Sequence, residues 1–419
     1  MKDLRTIILA AGKGTRMKSA VPKVLQTVCG RPIIQYVLDI AKNVGSLKTY
    51  IVVGHKSDDV KIYLPKEVVT VEQKRLLGTA DAVKCVEGHL KNDKGDVLIL
   101  CGDTPLLNKR VIAELIRKHR RTKAIVSFLT AIVDQPKGYG RILRDQAGRA
   151  VAILEEKDAS VQQRAINEIN VGVYCFNSAA LFGALRSIKI NPKKQEFYLT
   201  DIIELFSKRG RRIETLRTEN PAEGLGVNTR EDLAVAERIL RRKILKKLML
   251  SGVTIIDPQT TYIDADVKIG RDTIIRPCTF IENDIRIGKN CKIGPFARLR
   301  PGVRIGDEVE IGNFTEVSRT KIGKQTLMKH FSYLGDSLVG SKVNIGAGTI
   351  TANFDGQKKN QTIIKDQAFI GSDSILIAPV KVGKKAIVGA GSVVTKGKII
   401  PDGSIVVGVP ARVIARRKF

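Results

Sequence analysis

Along the first half of the chain, apolar runs of strand length alternate with stretches whose apolar residues recur at helical spacing. Residues 49–54, 97–101, 124–130 and 171–176 are almost continuously apolar, as strands buried on both faces are. Residues 110–120 and 199–208 space their apolar positions three and four apart, as helices do. That rhythm predicts a mainly parallel sheet covered by helices. The opening run, residues 4–11, is a further strand of this kind and leads into the turn Gly12-Lys13-Gly14.

Beyond residue 250 helical spacing nearly vanishes and a period of six replaces it. A glycine follows Ile or Val at Gly270, Gly288, Gly294, Gly306 and Gly312, and again at Gly371, Gly383 and Gly389, with separations that are mostly multiples of six. One aliphatic per hexapeptide, with small residues at the corners, builds a parallel β-helix in which three hexapeptides close one triangular coil. The widest break, between Gly346 and Gly371, holds the polar stretch 351–360. It is expected to be a loop thrown out of the prism toward a neighbouring subunit.

Between the halves, Arg238, Arg241, Arg242, Lys243, Lys246 and Lys247 alternate with Leu and Ile at helical spacing. A helix with one packed and one solvated face is the simplest account. The expected fold is therefore an α/β Rossmann-like domain (1–229), a linker helix (230–250) and a left-handed parallel β-helix of hexapeptide repeats with a C-terminal tail (251–419).

Composition adds limits. At 419 residues the chain is long enough for two or three domains, and 43% hydrophobic residues suffice for their cores. No run is apolar for long enough to span a membrane, and the first residues lack the apolar core and cleavage site of a signal peptide, so a cytoplasmic location is expected. Cys29, Cys85, Cys101, Cys175, Cys278 and Cys291 form no Cys-x-x-Cys pair and read as reduced structural residues. The formal charge is +30. With no Trp, 5% aromatics and no basic–aromatic interleaving, no dedicated nucleic-acid or membrane partner is expected.

The chemistry begins at the first turn. Backbone N–H groups around Gly12 and Gly14 can approach phosphates closely, with Lys13, Arg16 and Lys23 to neutralise them. Met17 stands where a dinucleotide fingerprint needs Gly or Ala, and no P-loop pattern occurs, so this is a nucleoside-triphosphate turn of another kind. Residues 96–103 end an apolar strand in Asp103, where a parallel sheet presents its ligand crevice and a carboxylate can hold a hard divalent ion such as Mg2+. Gln73 offers an amide for a base edge, and Gly78-Thr79 a second tight turn.

These motifs resemble those of the bifunctional GlmU family, which joins an N-acetylglucosamine-1-phosphate uridylyltransferase to a glucosamine-1-phosphate N-acetyltransferase. In order they are Leu9 to Met17, Pro22-Lys23, Leu77-Gly78-Thr79, Gly102-Asp103-Thr104-Pro105-Leu106, Gly138-Tyr139-Gly140-Arg141-Ile142, Glu155-Glu156-Lys157, Glu168-Ile169-Asn170 and Gly226-Val227-Asn228. The second half continues with Phe296-Ala297-Arg298-Leu299-Arg300-Pro301, His330-Phe331-Ser332-Tyr333-Leu334-Gly335-Asp336 and Asn344-Ile345-Gly346-Ala347-Gly348. The resemblance implies that Leu9, Ala10, Ala11, Gly12, Gln73, Gly78 and Thr79 hold UTP, that Arg16 and Lys23 are catalytic, and that Asp103 and Asn228 hold Mg2+. It places the amino sugar on Gly140, Glu155 and Asn170. It makes His330 the base of acetyl transfer, with Arg300, Tyr333, Asn344, Asn353 and Phe354 on the acceptor and Ala347, Ser372 and Ala390 along the acetyl-CoA cleft. A homotrimer is implied as well.

The chain departs from the family pattern where Ser318 replaces a phosphate-binding lysine, leaving Arg319 or Lys321 as substitutes. Phe354 stands where a tyrosine is usual. Gly408 stands where an arginine is expected, with Arg412 nearby, and the β-helix is about a coil short before Gly294. Two alternatives stay open on these grounds. One is a sugar-1-phosphate uridylyl- or thymidylyltransferase whose β-helix is a trimerisation scaffold or acetylates a different amino sugar. The other is a nonenzymatic basic assembly or nucleic-acid-binding protein.

Overall fold

The computed structural model describes residues 3–54, 56–90, 94–191 and 195–416, and the chain divides into two compact units, Met1–Glu237 and Arg238–Phe419. The strands of the first unit are β1 (Leu4–Ala10), β2 (Thr27–Val28), β3 (Arg31–Pro32), β4 (Lys48–Val53), β5 (Val69–Glu72), β6 (Asp96–Cys101), β7 (Val126–Ile132), β8 (Arg141–Arg144), β9 (Ala150–Leu154), β10 (Glu168–Asn177) and β11 (Ile213–Arg217). The main sheet runs β11-β7-β10-β6-β1-β4-β5, with β8 and β9 as a hairpin on β10 and with β2 and β3 paired separately. All its neighbours are parallel except β10, which opposes both β6 and β7.

Both faces of this sheet are covered, which is why its central strands carry unbroken apolar runs. Leu98 and Leu100 face one core with Leu4 and Ile8, while Val97 and Ile99 face the other with Ile7 and Phe176. The helix Lys109–Thr122 packs Ile112, Leu115, Ile116 and His119 on one side, is capped when the Asn108 side chain accepts the Arg110 N–H, and stops at Lys123 in the left-handed region. The strand expected at 124–130 lies instead at Val126–Ile132, since Ile125 already donates its N–H to the Arg212 carbonyl outside the ladder. The strand expected at 171–176 starts earlier, at Glu168, where polar Glu168 and Asn170 interrupt the apolar pattern and the register shifts between Asn170 and Tyr174.

The second unit is a three-sided prism of sheets with ten, eight and eight strands, most of them two residues long and all parallel except the last, Arg412–Arg416, which is antiparallel to its neighbour. Inward residues stack rung on rung, as in the column Ile275, Ile293, Ile311, Met328, Ile345, Ile370, Val388 and Val406, all buried. Corners must be small because successive rungs lie only about 4.8 Å apart. A Cβ on Gly323 would come within 2.5 Å of the Gly340 carbonyl carbon. Two coils are one residue short, pairing Glu316 with Tyr333 and Lys321 with Leu338, which accounts for the irregular glycine spacing there. The polar break is shorter than its sequence suggests. Thr351 is buried in the strand Ile350–Ala352, and the loop begins at Asn353. The helix Arg230–Leu250 spans the expected linker. Within the second unit its Leu245 and Leu248 join the core of the first coil with Val253, Ile255 and Ile263, and Arg241 stacks 3.9 Å over the Tyr262 ring. Among the described residues no helix is long and apolar enough to cross a membrane. Among the described residues no cysteine is joined in a disulfide.

Candidate active sites

The first site lies at the carboxyl ends of β1 and β6. Leu9, Ala10, Ala11 and Gly12 line a cavity of about 640 Å³ together with Arg16, Lys23, Gln73, Gly78, Thr79, Asp103 and Asn228. Gly14, at φ 61°, opens the short 3-10 turn Thr15–Met17, and a Cβ there would sit 2.9 Å from the Lys23 Cβ. A glycine is thus what lets the Lys23 segment close over this turn. Gln73 is buried, its amide donating to the Gly78 carbonyl at 3.1 Å and to Asp81 at 2.8 Å. That fixes the amide against the second turn, whose Thr79 hydroxyl accepts from the Leu199 N–H at 3.0 Å.

Four side chains meet at one corner of the cavity. The Lys23 ammonium donates to the Asp103 carboxylate and, at 3.1 Å, to Asn228 Oδ1, which also accepts from Arg16 at 2.9 Å. Asn228 is held by its neighbours, since its N–H and that of Thr229 both donate to Asp232, at 2.9 and 2.8 Å. Two hard oxygen donors, Asp103 and Asn228, therefore converge on a single cation, here the ammonium of Lys23. That donor set fits Mg2+, which takes one or two protein oxygens and fills the rest of its shell from phosphates and water.

Gly140, Glu155 and Asn170 lie outside the cavity lining but are brought together beside it. Arg141 pairs with Leu154 on one side and Ile169 on the other, so the next residues, Gly140, Glu155 and Asn170, sit abreast at the strand ends. The Asn170 N–H donates to the Gly140 carbonyl at 2.9 Å, and Glu155 accepts from the Thr200 hydroxyl at 3.1 Å. Sequence reasoning missed Leu76, Cys101, Glu196 and Tyr198 in the cavity wall. Burial, then the Asp103 charge, pushes the Cys101 thiol up to about 12, so it stays protonated. Burial and the carboxylates of Glu196, Asp158, Glu155 and Asp201 push the Tyr198 hydroxyl up to about 12 also, keeping it a neutral donor. The run from Glu196 to Asp201, two aromatics and two acids just ahead of a helix, was the available signal.

The second site follows one corner of the prism. Met328, Ile345, Ile370 and Val388 are paired in register, and His330, Ala347, Ser372 and Ala390 each stand two residues beyond them, forming one column along that corner. Gly408, two beyond Val406, extends it. His330 is exposed, and its ring has no hydrogen-bond partner among the described residues. Beneath it the column carries only small side chains, Ala347, Ser372, Ala390 and Gly408.

The acceptor candidates flank this corner. Asn344 is on the face before it, paired with Leu327 and Phe369, while Tyr333 is on the face after it, between Glu316 and Ile350. Tyr333 lines a cavity of about 730 Å³ with Glu316, Phe314, Phe331, Ile350 and Ile375. Toward the next corner, Arg300 binds Glu316 at 2.9 Å, and Arg319 binds both oxygens of Asp336 at 2.6 and 2.9 Å and the Ser318 hydroxyl at 2.7 Å. The buried Asn353 donates to the same Asp336. The Arg319 guanidinium holds the Asp336 carboxyl below the usual carboxylate range despite partial burial. Lys321 lies on the third face, paired with Leu338, so of the two cations offered for the missing lysine only Arg319 joins this cluster. Phe354 is exposed in a loop tied by Asp355, which accepts from Gln357 N–H, Lys358 N–H and the Asn360 amide. Arg412 lies exposed in the last strand, Arg412–Arg416.

The comparisons agree with this division. The family described as Nucleotidyl transferase matches residues 5–220, Bacterial transferase hexapeptide (six repeats) matches 284–319, and Hexapeptide repeat of succinyl-transferase matches 361–396. Over 93% of both chains the protein is 43% identical to the Bifunctional protein GlmU of Shouchella clausii (strain KSM-K16). It is 42% identical to that of Pelobacter propionicus over 97% of this chain and 96% of the relative, and 44% identical to that of Geobacillus sp. (strain WCH70) over 93% and 92%. With identity at this level along nearly the whole length of each relative, the chain belongs to the bifunctional GlmU family.

Proposed function

We propose that residues 1–229 transfer UMP from UTP to N-acetylglucosamine 1-phosphate and that residues 251–419 supply that acceptor by acetylating glucosamine 1-phosphate, with the helix 230–250 between them. The observation that carries this is the meeting of Leu9 to Gly12, Arg16, Lys23, Gln73, Gly78, Thr79, Asp103 and Asn228, distant in sequence, around one cavity. In uridylyl transfer the 1-phosphate oxygen of the sugar attacks the α-phosphorus of UTP. A new P–O bond forms, the bond to the β-phosphate oxygen breaks, and pyrophosphate leaves carrying the charge. Arg16 and Lys23 stand where that charge grows, and Gln73 meets the base. Gly140, Glu155 and Asn170 grip the amino sugar. Asp103 and Asn228 would hold Mg2+, which when bound supplies divalent charge to the triphosphate.

In acetyl transfer the sugar amine attacks the thioester carbonyl of acetyl-CoA. The C–N bond forms, the C–S bond breaks, and the amine proton passes to His330 and from it to the leaving thiolate, so that coenzyme A departs as the thiol. The groove of Ala347, Ser372 and Ala390 takes the coenzyme, while Arg300, Tyr333, Asn344, Asn353 and Phe354 take the acceptor, with Arg319 serving its phosphate. Asn344 and Tyr333 sit on the faces either side of the His330 corner, with Arg300, Arg319 and the Asn353 loop toward the next corner, an open arrangement that a neighbouring prism in a homotrimer would close. Both substrates, UTP and acetyl-CoA, are cytoplasmic metabolites, and the chain works there.

The test follows thiol release and pyrophosphate release separately, with glucosamine 1-phosphate, acetyl-CoA, UTP and magnesium. Parent protein gives both signals. His330→Ala loses thiol release and regains pyrophosphate when N-acetylglucosamine 1-phosphate is added; Asp103→Ala loses pyrophosphate only. Pyrophosphate without thiol release from the parent would leave a nucleotidyltransferase on a scaffold, and silence in both assays would sink the assignment.

A further inference from the structure

Lys23 and Asn228 meet at the phosphate corner, but neither holds itself there. Lys23 belongs to a short turn, Lys23–Leu25, in a segment with little regular structure of its own. That segment is pinned to the first turns of the helix Arg230–Leu250 at two places. Arg230 donates to Gln26 Oε1 at 2.7 Å, and the Glu237 carboxylate accepts the Cys29 N–H at 2.6 Å and the Cys29 thiol at 3.4 Å. Seven residues apart, Arg230 and Glu237 lie on one side of the helix, two turns from each other.

Gln26 is the hub of this attachment. It is buried, its N–H donates to the Lys23 carbonyl at 3.1 Å, and its amide donates to the Ser19 hydroxyl and the Val21 carbonyl, both at 3.1 Å. One side chain thus ties together the residues on both sides of Lys23, and Arg230 ties that side chain to the helix. The same helix begins with Thr229 and Asp232 bonded reciprocally, Asp232 to the N–H groups of Asn228 and Thr229 and the Thr229 hydroxyl to the Asp232 N–H at 3.1 Å. This capping arrangement fixes Asn228.

We infer that Arg230, through Gln26, is a positioning residue for uridylyl transfer, setting the Lys23 ammonium and the Asn228 amide at their working separation, with Glu237 as the second anchor. The inference rests on the proposed assignment of this cavity to UTP. Arg230 itself touches neither Asp103 nor the cavity, and its effect passes through the register of the loop against the helix. Such displacement of reacting groups, even by about 1 Å, costs up to roughly 100-fold in rate.

The experiment compares parent, Arg230→Ala, Arg230→Lys and Gln26→Met in the full chain. UTP binding is measured by calorimetry with and without magnesium and with no sugar phosphate present, alongside pyrophosphate release, thiol release and the thermal midpoint. The expected result for Arg230→Ala is a loss of about tenfold in magnesium-dependent UTP affinity and of ~10–100-fold in kcat for pyrophosphate release. Thiol release stays within about twofold of the parent, since only distant, independent residues carry it. Arg230→Lys restores part of both losses. A residue that merely stabilises the fold would lower the midpoint without changing the response of UTP affinity to magnesium. Gln26→Met keeps the volume while removing the side-chain bonds at the hub, so it provides the same measurement if Arg230→Ala does not fold. Unchanged magnesium-dependent affinity and kcat in either folded variant, with an active parent, overturn the positioning role alone. A parent that binds no UTP overturns this inference together with the assignment of the cavity.

Discussion

The carboxylate of Asp103, at the end of one parallel strand, receives the ammonium of Lys23 from eighty residues earlier in the chain. With the triphosphate bound, the proposed role of each partner separates from the other. In that proposal Lys23 would turn to the phosphates and Asp103 would hold the magnesium. Lys23→Met therefore removes charge from the bound triphosphate while leaving the Asp103 and Asn228 oxygens in place. Its kcat for pyrophosphate release should fall by ~100-fold, as removal of a charge-stabilising donor does elsewhere. The magnesium concentration for half activity should change little, in contrast to Asp103→Asn. Equal responses of the two variants to magnesium would contradict this division of labour.

Arg319 and Lys321 are two residues apart, yet the turn between them sends them to different faces of the prism. Arg319 shares Asp336 with Asn353, whereas Lys321 faces out from the third sheet. Arg319→Ala should raise KM for glucosamine 1-phosphate by ~10-fold or more, the scale of a lost charged hydrogen bond. Lys321→Ala should stay close to the parent. Steady-state thiol release across a range of acceptor concentrations distinguishes the two, and the reverse ranking would move the phosphate to another face.

Much of this architecture was legible because periodicity is a local signal. A period of six left a glycine or small residue at each corner, and unbroken apolar runs marked strands buried on both sides. What could not be read depended on residues meeting across space. Glu196 and Tyr198 line the first cavity because Phe197 donates its N–H to the Leu77 carbonyl and its carbonyl accepts the Ala80 N–H, a meeting no spacing announces. Thr351 looked like loop because it is polar, but its hydroxyl accepts the Gly335 N–H at 2.8 Å inside the prism, where a Thr fills an inward position as well as a Val. The convergence of Gly140, Glu155 and Asn170 likewise rests on the β8–β9 hairpin folding against β10, which the resemblance supplied and local pattern did not.

Asp96 offers a test of stability that leaves both chemistries aside. It begins β6 and accepts from Arg120 at 2.6 Å, with the buried His119 at 3.6 Å. Burial alone would raise its pKa, but the hydrogen bonds and charges of His119 and Arg120 outweigh that and hold it below its ordinary value of 3.8. A carboxyl lowered in the folded state binds its proton more readily when unfolded. Its stabilising contribution is therefore complete above pH ~4 and lost as the pH falls through the folded-state value. Asp96→Asn should cost about 1–2 kcal/mol at pH 7, and the gap between variant and parent should narrow below pH ~4. Urea midpoints at several pH values measure this; a gap that widens in acid would mean that the pairing is not what Asp96 contributes.

The column below His330 makes a prediction specific to coenzyme binding. Ala347, Ser372 and Ala390 occupy equivalent places on three successive rungs, so the proposed coenzyme groove depends on small side chains about 4.8 Å apart. Ala390 is exposed, two rungs from Ala347, and a larger side chain there need not disturb the buried column of Ile370 and Val388. Ala390→Leu should therefore fold normally and fill the groove. KM for acetyl-CoA should rise by ~10-fold or more, kcat at saturation should fall less, and pyrophosphate release from N-acetylglucosamine 1-phosphate should be unchanged. His330→Gln should show the opposite split, with kcat for thiol release down ~100-fold and acetyl-CoA affinity preserved, because it removes the proton acceptor and leaves the groove open. If Ala390→Leu binds acetyl-CoA as the parent does, the coenzyme does not run along this corner, and the column of small residues serves only the packing of the coil.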